Sequence, residues 1–132
     1  MAQNQFSMDL NLKAYPNTLT PDVADDYTVR VDTQSTPLTL DDIARVTAER
    51  LGEETVKIRA ALQVGMEVVA QAVASGFCVS TPLCYAQPTA SGVVMEHELS
   101  QPVDREKIRV YASFRQGSAM TEALKNAKLR LY

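Results

Sequence analysis

The run REKIRVYASFR places Arg105, Lys107, Arg109 and Arg115 at odd positions that also hold Tyr111. Alternate residues of a β-strand share a face, so the spacing predicts one strand face carrying four cations and one aromatic ring. Ile108, Val110, Ala112 and Phe114 then fall on the opposite, inner face. Cations aligned in this way can neutralise several phosphates, and the release of counterions makes such binding steeply dependent on salt. The plainer reading of the same stripe is a solvated sheet face, because basic strands are common on soluble surfaces.

Charge is distributed unevenly around that stripe. Residues 1–104 hold fourteen acids and six bases, a balance of −8, whereas residues 105–132 hold two acids and seven bases, a balance of +5. The whole chain is at −3, so no global basic field marks it for nucleic acid or an anionic membrane, and any anion-binding surface must be local.

Other chemistries find less support. Catalysis needs a base positioned beside a nucleophile, or paired carboxylates in a cleft. The one histidine, His97, has Glu96 and Glu98 beside it in sequence. In an extended arm neighbours point to opposite faces, so no catalytic constellation is expected. One His and two Cys cannot build the usual metal cluster, and the spacing of Cys78 and Cys84 matches no zinc or redox motif. Both cysteines are expected as small buried hydrophobes. No metal, no cofactor and no enzymatic activity are expected.

The positioning elements can be read in turn. Phe6, Met8, Leu10 and Leu12 alternate with polar residues, as do Tyr27, Val29 and Val31, with a proline-containing loop between them. This predicts two half-buried strands within residues 1–36. Thr39 is a good N-cap with Asp42 three residues on, and Leu40, Ile43, Ala44, Thr47 and Leu51 follow helical spacing, so a helix is expected over 40–51 with Gly52 ending it. A second helix should run from Glu53 and Glu54 to about Ser75 and stop at Gly76. Two short strands around Thr81-Pro82 follow, then an exposed hairpin arm over 88–104, the basic strand, and a last helix capped by Ser118 with Met120, Leu124, Ala127 and Leu131 on one face. The order is that of an α+β domain.

The second helix is the most informative. Its polar residues Arg59, Gln63, Glu67, Gln71 and Ser75 recur at every fourth position, and nearly everything else is apolar. A helix of this kind is buried around most of its circumference. A chain of 132 residues offers too little material to cover it, so a second copy is the economical partner and a homodimer is expected. Ile58, Ala61, Leu62, Gly65, Met66, Val69 and Val73 are the expected dimer interface. Gly65 suits close helix packing across it.

Length and composition bound the rest. With 45% hydrophobic and 22% charged residues, five Gly and six Pro, the chain is an ordinary globular domain. Its opening residues, MAQNQFSMDLNLKAY, alternate polar with apolar, unlike a secretory signal. The stretch from Ile58 to Val73 is too interrupted by polar residues to span a membrane. A cytoplasmic location is expected, without a membrane partner.

The ordered segments TLDDIARVTAERL, EETVKIRAALQVGMEVVAQAVASG, FCVSTPLCYAQPTASG and REKIRVYASFRQGSAMTEALK resemble the histone-like HU/IHF family. More narrowly they are similar to the HU-like DNA-binding domain proteins of Bacteroidetes, whose N-terminal extension of the LTPD…DY type is matched by Leu19-Thr20-Pro21-Asp22 and Asp26-Tyr27. The resemblance covers about residues 19–128. It implies an HU/IHF-like fold, with two helices, an antiparallel sheet bearing a β-arm and a C-terminal helix in residues 37–132, after an extra strand pair in 1–36. It also implies an intertwined dimer that grips and bends DNA without strong sequence preference. On the positions of this chain, the DNA-binding residues it implies are Arg105, Lys107, Arg109, Tyr111, Arg115, Lys125 and Lys128.

Departures from the family pattern carry their own expectations. Basic-armed members have Arg and Lys in the arm and a proline wedge at its tip. Here residues 88–104 contain no Arg or Lys and three acids, Glu96, Glu98 and Asp104, so the arm should be repelled by phosphate. Gln116 and Ser118 flank Gly117 where a Pro-Gly-Lys is usual. Two functions therefore compete: a weak, non-specific architectural DNA-binding protein of the nucleoid, or an HU-shaped dimer serving as a protein-interaction module. In the second, Val93, Val94 and Met95 of the arm would be candidate contacts.

Overall fold

A computed structural model describes residues 6–19, 21–22, 25–34 and 36–132. Thr20 of the LTPD motif lies outside them. The chain divides into two compact units, Met1–Leu62 with Glu122–Tyr132, and Gln63–Thr121.

In the first unit, β1 (Asp9–Pro16), β2 (Tyr27–Val31) and β6 (Lys128–Leu131) form a sheet of order β2-β1-β6. β1 runs antiparallel to β2, with Lys13 opposite Arg30, and parallel to β6, with Leu10 opposite Leu129. The N-terminal strands thus pair with the C-terminal end of the chain. Two sequence expectations change here. Phe6 and Met8 precede β1, and Met8 has φ +58, so the alternation from Phe6 is broken before the strand begins. The last helix, α3 (Ser118–Asn126), stops before Ala127, and Leu131 lies in β6 instead of on a helical face.

The helices follow their local signals more closely. α1 (Leu40–Leu51) opens on a capping box in which the Asp42 backbone N–H donates to Thr39 Oγ1 at 3.4 Å and the Thr39 N–H donates to the Asp42 carboxylate at 2.9 Å. That backbone bond, with the Thr39 hydroxyl, holds the Asp42 carboxyl below the usual carboxylate range. Gly52 ends the helix at φ +69, a left-handed conformation that suits a residue without Cβ. α2 (Thr55–Ala74) starts just after Glu53 and Glu54, and Arg59 Nε lies 2.7 Å from the Asp41 carboxylate of α1.

Burial is sparse. Among the described residues the buried apolar ones are Ala44, Val46 and Ala48 on α1 and Ala86 on β4 (Cys84–Gly92). α2 buries none of its residues, and Val56, Val64, Met66 and Val68 are all more than half exposed. The expected burial of this helix on most of its circumference is therefore not met among the described residues. No described helix is long and apolar enough to cross a membrane.

In the second unit, β3 (Val79–Ser80), β4 and β5 (Ile108–Gln116) form an antiparallel sheet of order β3-β4-β5. β4 and β5 pair along their whole length, from Cys84 opposite Gln116 to Gly92 opposite Ile108. The expected arm over 88–104 is redistributed: residues 88–92 belong to β4, and a loop containing one 3-10 turn (Glu96–Glu98) joins it to β5. His97 sits in that turn, not in a strand. Cys78 is exposed and Cys84 half-buried, so neither is the fully buried hydrophobe expected.

Candidate nucleic-acid interface

Directly paired residues of antiparallel strands project to the same side, so the β4–β5 register defines two faces of a hairpin. One carries Ile108, Val110, Ala112 and Phe114 with Ala86, Pro88 and Ala90. The other carries Arg109, Tyr111, Ser113 and Arg115 opposite Ser91, Thr89, Gln87 and Tyr85. A hydrogen bond of 2.9 Å between Thr89 Oγ1 and Ser113 Oγ spans this polar face diagonally.

Each arginine of the face lies on a tyrosine. The Arg109 guanidinium is 4.6 Å from the Tyr111 ring centroid, and that of Arg115 is 4.8 Å from the Tyr85 centroid. Stacking of this kind holds a flexible cation over a ring while leaving its N–H donors directed outward. A hydrogen bond with the Cys78 side chain pushes the Tyr85 phenol above its ordinary value, against a smaller opposing pull from Arg115. Tyr85 is therefore a neutral ring at physiological pH. The result is a pair of prepositioned arginines flanked by small hydroxyl and amide groups, suited to contacting phosphodiester oxygens.

The sequence-predicted cations divide accordingly. Arg109, Tyr111 and Arg115 share the polar face of β5 as the alternation requires. Arg105 and Lys107 do not, because the strand begins at Ile108 and both residues lie in the turn before it. That turn is set by Asp104, whose carboxylate accepts the Glu106 N–H at 3.0 Å and whose carbonyl accepts the Lys107 N–H at 3.1 Å. An Asp two residues after Pro102 is a turn former, the one signal that could have separated these two cations from the stripe. Lys125 and Lys128 belong to α3 and β6, in the first unit. Tyr85, Gln87, Thr89 and Ser91 were not among the contacts expected from sequence. Their own alternation was a usable signal, but only the register shows which face they share.

Lys107 has a defined occupation: its Nζ lies 2.9 Å from Glu98 Oε2, while Glu98 Oε1 accepts the Met95 N–H at 3.3 Å. Glu98 thus ties the loop to the root of β5. The Lys107 hydrogen bond holds the Glu98 carboxyl below its usual range, and the same bond holds the Lys107 ammonium above its own. The Glu98 contribution is present above the ordinary carboxylate value and is lost as pH falls through its lowered value. That of Lys107 is present below the ordinary lysine value and is lost as pH rises through its raised one. Across neutral pH the pair is intact and competes with phosphate for Lys107. Glu98→Gln removes one acid and frees the ammonium, so affinity for a DNA duplex at low salt should rise severalfold and the salt slope steepen by about one. An unchanged slope would show that Lys107 makes no phosphate contact even when released.

Comparison with known proteins agrees with this chemistry. No curated protein matches the sequence. Among solved structures, a crystal structure of a candidate bacterial DNA-binding protein from Bacteroides vulgatus ATCC 8482 superposes with a TM-score of 0.71 at 23% identity, over 92% of this chain and 47% of that one. The two share a fold, and this chain spans about half the length of that neighbour. The match that covers most of the sequence is to a family model described as a DNA-binding domain, over residues 10–131. Spanning both sheets and all three helices, that match places the chain in the HU-DNA_bdg family of DNA-binding domains.

Proposed function

We propose that this protein is a non-specific, architectural DNA-binding protein of the nucleoid that acts as an HU/IHF-like homodimer in the cytoplasm. The observation that carries the reading is the polar face of the β4–β5 hairpin, where Arg109 and Arg115 are held on Tyr111 and Tyr85 in a DNA-binding-domain family member. Paired arginines held on tyrosines suit phosphate oxygens, and such backbone contacts position a protein irrespective of sequence. Fluorescence anisotropy of labelled intact and nicked duplexes, titrated at low and near-physiological salt, tests it. Binding should weaken steeply with salt, and absence of binding by folded protein at low salt would overturn it.

Self-association is supported by what one chain leaves open. Val110 and Phe114 on the apolar hairpin face are 60% and 66% exposed, and α2 buries no residue. Gly65 lies opposite the polar stripe of α2, and a Cβ built there meets nothing within 4 Å in the same chain. In an isolated helix, replacing Gly by Leu is favourable by somewhat under about 1 kcal/mol. Against a closely packed second copy the added bulk is costly instead. Gly65→Leu should therefore shift the protein from dimer toward monomer in sedimentation velocity and lower its melting temperature. A variant that melts higher with unchanged mass would exclude Gly65 from the interface.

The loop after β4 favours a second reading. Met95, Leu99 and Val103 are exposed there, among Glu96, Glu98 and Asp104, and none of these residues suits phosphate. A protein partner held through the 88–104 segment would lose binding when residues 92–99 are deleted, while the DNA-binding reading predicts that duplex affinity is kept, or raised as Lys107 is released from Glu98.

A further inference from the structure

The first unit contains a second two-faced sheet. In its register Lys13 lies opposite Arg30, Asn11 beside Arg130, and Asp9 beside Lys128. Paired residues share a side, so Lys13, Arg30, Lys128 and Arg130 project from one face, and Leu10, Leu12, Val29, Val31, Leu129 and Leu131 from the other. Two side-chain contacts mark the cationic side: the Arg30 guanidinium lies 5.6 Å from the Tyr15 ring centroid, and Arg130 Nη2 lies 3.6 Å from the Asp9 carboxylate. The acids on this side are Asp9, Asp26 and Asp32: the Asp26 carboxylate accepts the Asn17 side-chain amide at 3.0 Å, and the Asn11 carbonyl accepts the Asp32 N–H at 2.8 Å. The cationic centre is therefore the Lys13–Arg30 row, and both residues are exposed.

Like charges directly opposite each other on a sheet repel and destabilise it. Among the described residues no carboxylate forms an ion pair with Lys13 or Arg30. A bound polyanion relieves that repulsion. The row adjoins a depression of about 420 Å³ lined in part by Tyr15, Asn17, Thr28 and Arg30, which has room for a sugar and its phosphate. An arginine stacked on a tyrosine beside a further cation repeats the chemistry of the hairpin's polar face, on a different sheet.

We propose that this face of the β2-β1-β6 sheet is a second contact surface for the DNA phosphodiester backbone, with Lys13, Arg30 and Arg130 on phosphates and Tyr15 holding Arg30 in place. The inference rests on DNA being the partner, and not on the hairpin being its site. Two charge-reversed proteins separate the surfaces: Lys13→Glu with Arg30→Glu, and Arg109→Glu with Arg115→Glu, each confirmed as folded by circular dichroism and titrated with a labelled duplex between 50 and 200 mM salt. Loss of two phosphate contacts lowers the salt slope by about two, so the 13/30 variant should lose roughly tenfold less affinity over that range than the unaltered protein. A 13/30 variant with an unchanged slope, while the 109/115 variant is flattened, overturns the second surface and leaves the hairpin site standing. The converse pattern sustains the second surface and removes the hairpin. Absence of salt-dependent binding by the unaltered protein overturns both. If the 13/30 reversal unfolds the protein, Lys13→Gln with Arg30→Gln keeps the side chains long and removes only the charge, and the same slope decides.

Discussion

Reversing Arg109 and Arg115 to Glu should reduce affinity for a duplex by roughly 30- to 100-fold near 100 mM salt and flatten the salt slope by about two. Both guanidiniums stand on the polar face of β5, fixed by Tyr111 and Tyr85, so they lose little freedom when they meet phosphate. Each reversal removes one attraction and installs one repulsion at the same place. The loss should be uniform across duplexes of different sequence, because phosphate contacts position a protein without reading bases. The fold has little reason to respond. Val110 and the other apolar residues of β5 lie on the opposite side of the sheet, and the backbone pairing of β4 with β5 does not involve the substituted side chains. A folded double variant that binds as tightly as the unaltered protein, with the same slope, would place the DNA contact elsewhere on the chain.

How far this site could be read from sequence depended on whether its determinants are local. α1 was legible from Thr39 to Gly52 because a capping box and a left-handed terminus are set by residues within a few positions of each other. The face shared by Arg109, Tyr111 and Arg115 was legible for the same reason, since alternation is a property of one strand. What failed was non-local. Leu124, Ala127 and Leu131 satisfy helical spacing, and Leu129 and Leu131 equally satisfy alternation; pairing with β1, more than a hundred residues away in sequence, decides in favour of a strand. Tyr85 joins the site only because β4 pairs with Arg115 opposite it, and Lys107 leaves the stripe because Asp104 forms a turn and Glu98 accepts its ammonium. The cationic row of Lys13 and Arg30 was invisible for the same reason. Those two residues lie in a segment whose acids outnumber its bases, and only the sheet register brings them side by side.

Gly117→Ala should destabilise the fold by about 2–4 kcal/mol, although only one methyl group is added. Gly117 closes the joint between β5 and α3. Its N–H donates to the Leu83 carbonyl at 2.9 Å, and two residues on, the Ala119 N–H donates to the Pro82 carbonyl at 2.8 Å. The second bond satisfies one of the free amides at the start of α3. A Cβ at position 117 would run into the backbone of the Thr81-Pro82 turn, at 2.6 Å from the Thr81 carbonyl oxygen and closer still to that of Pro82. Backbone cannot rotate aside as a flexible side chain can, so the turn must move and both hydrogen bonds lengthen. Overpacking costs about 1–3 kcal/mol and each weakened bond about 0.5, which for a chain of this size lowers the melting temperature by roughly 10 °C. The displacement also reaches the polar face of the hairpin, since the 81–83 turn leads into Cys84 and Tyr85, and Tyr85 supports Arg115. Duplex affinity measured well below the melting transition should therefore fall as well, with the salt slope reduced by at most one, because Arg109 keeps its own tyrosine. A Gly117→Ala protein that melts with the unaltered one would mean that the turn yields without cost, and that the tight approach at 117 is not what holds the hairpin to α3.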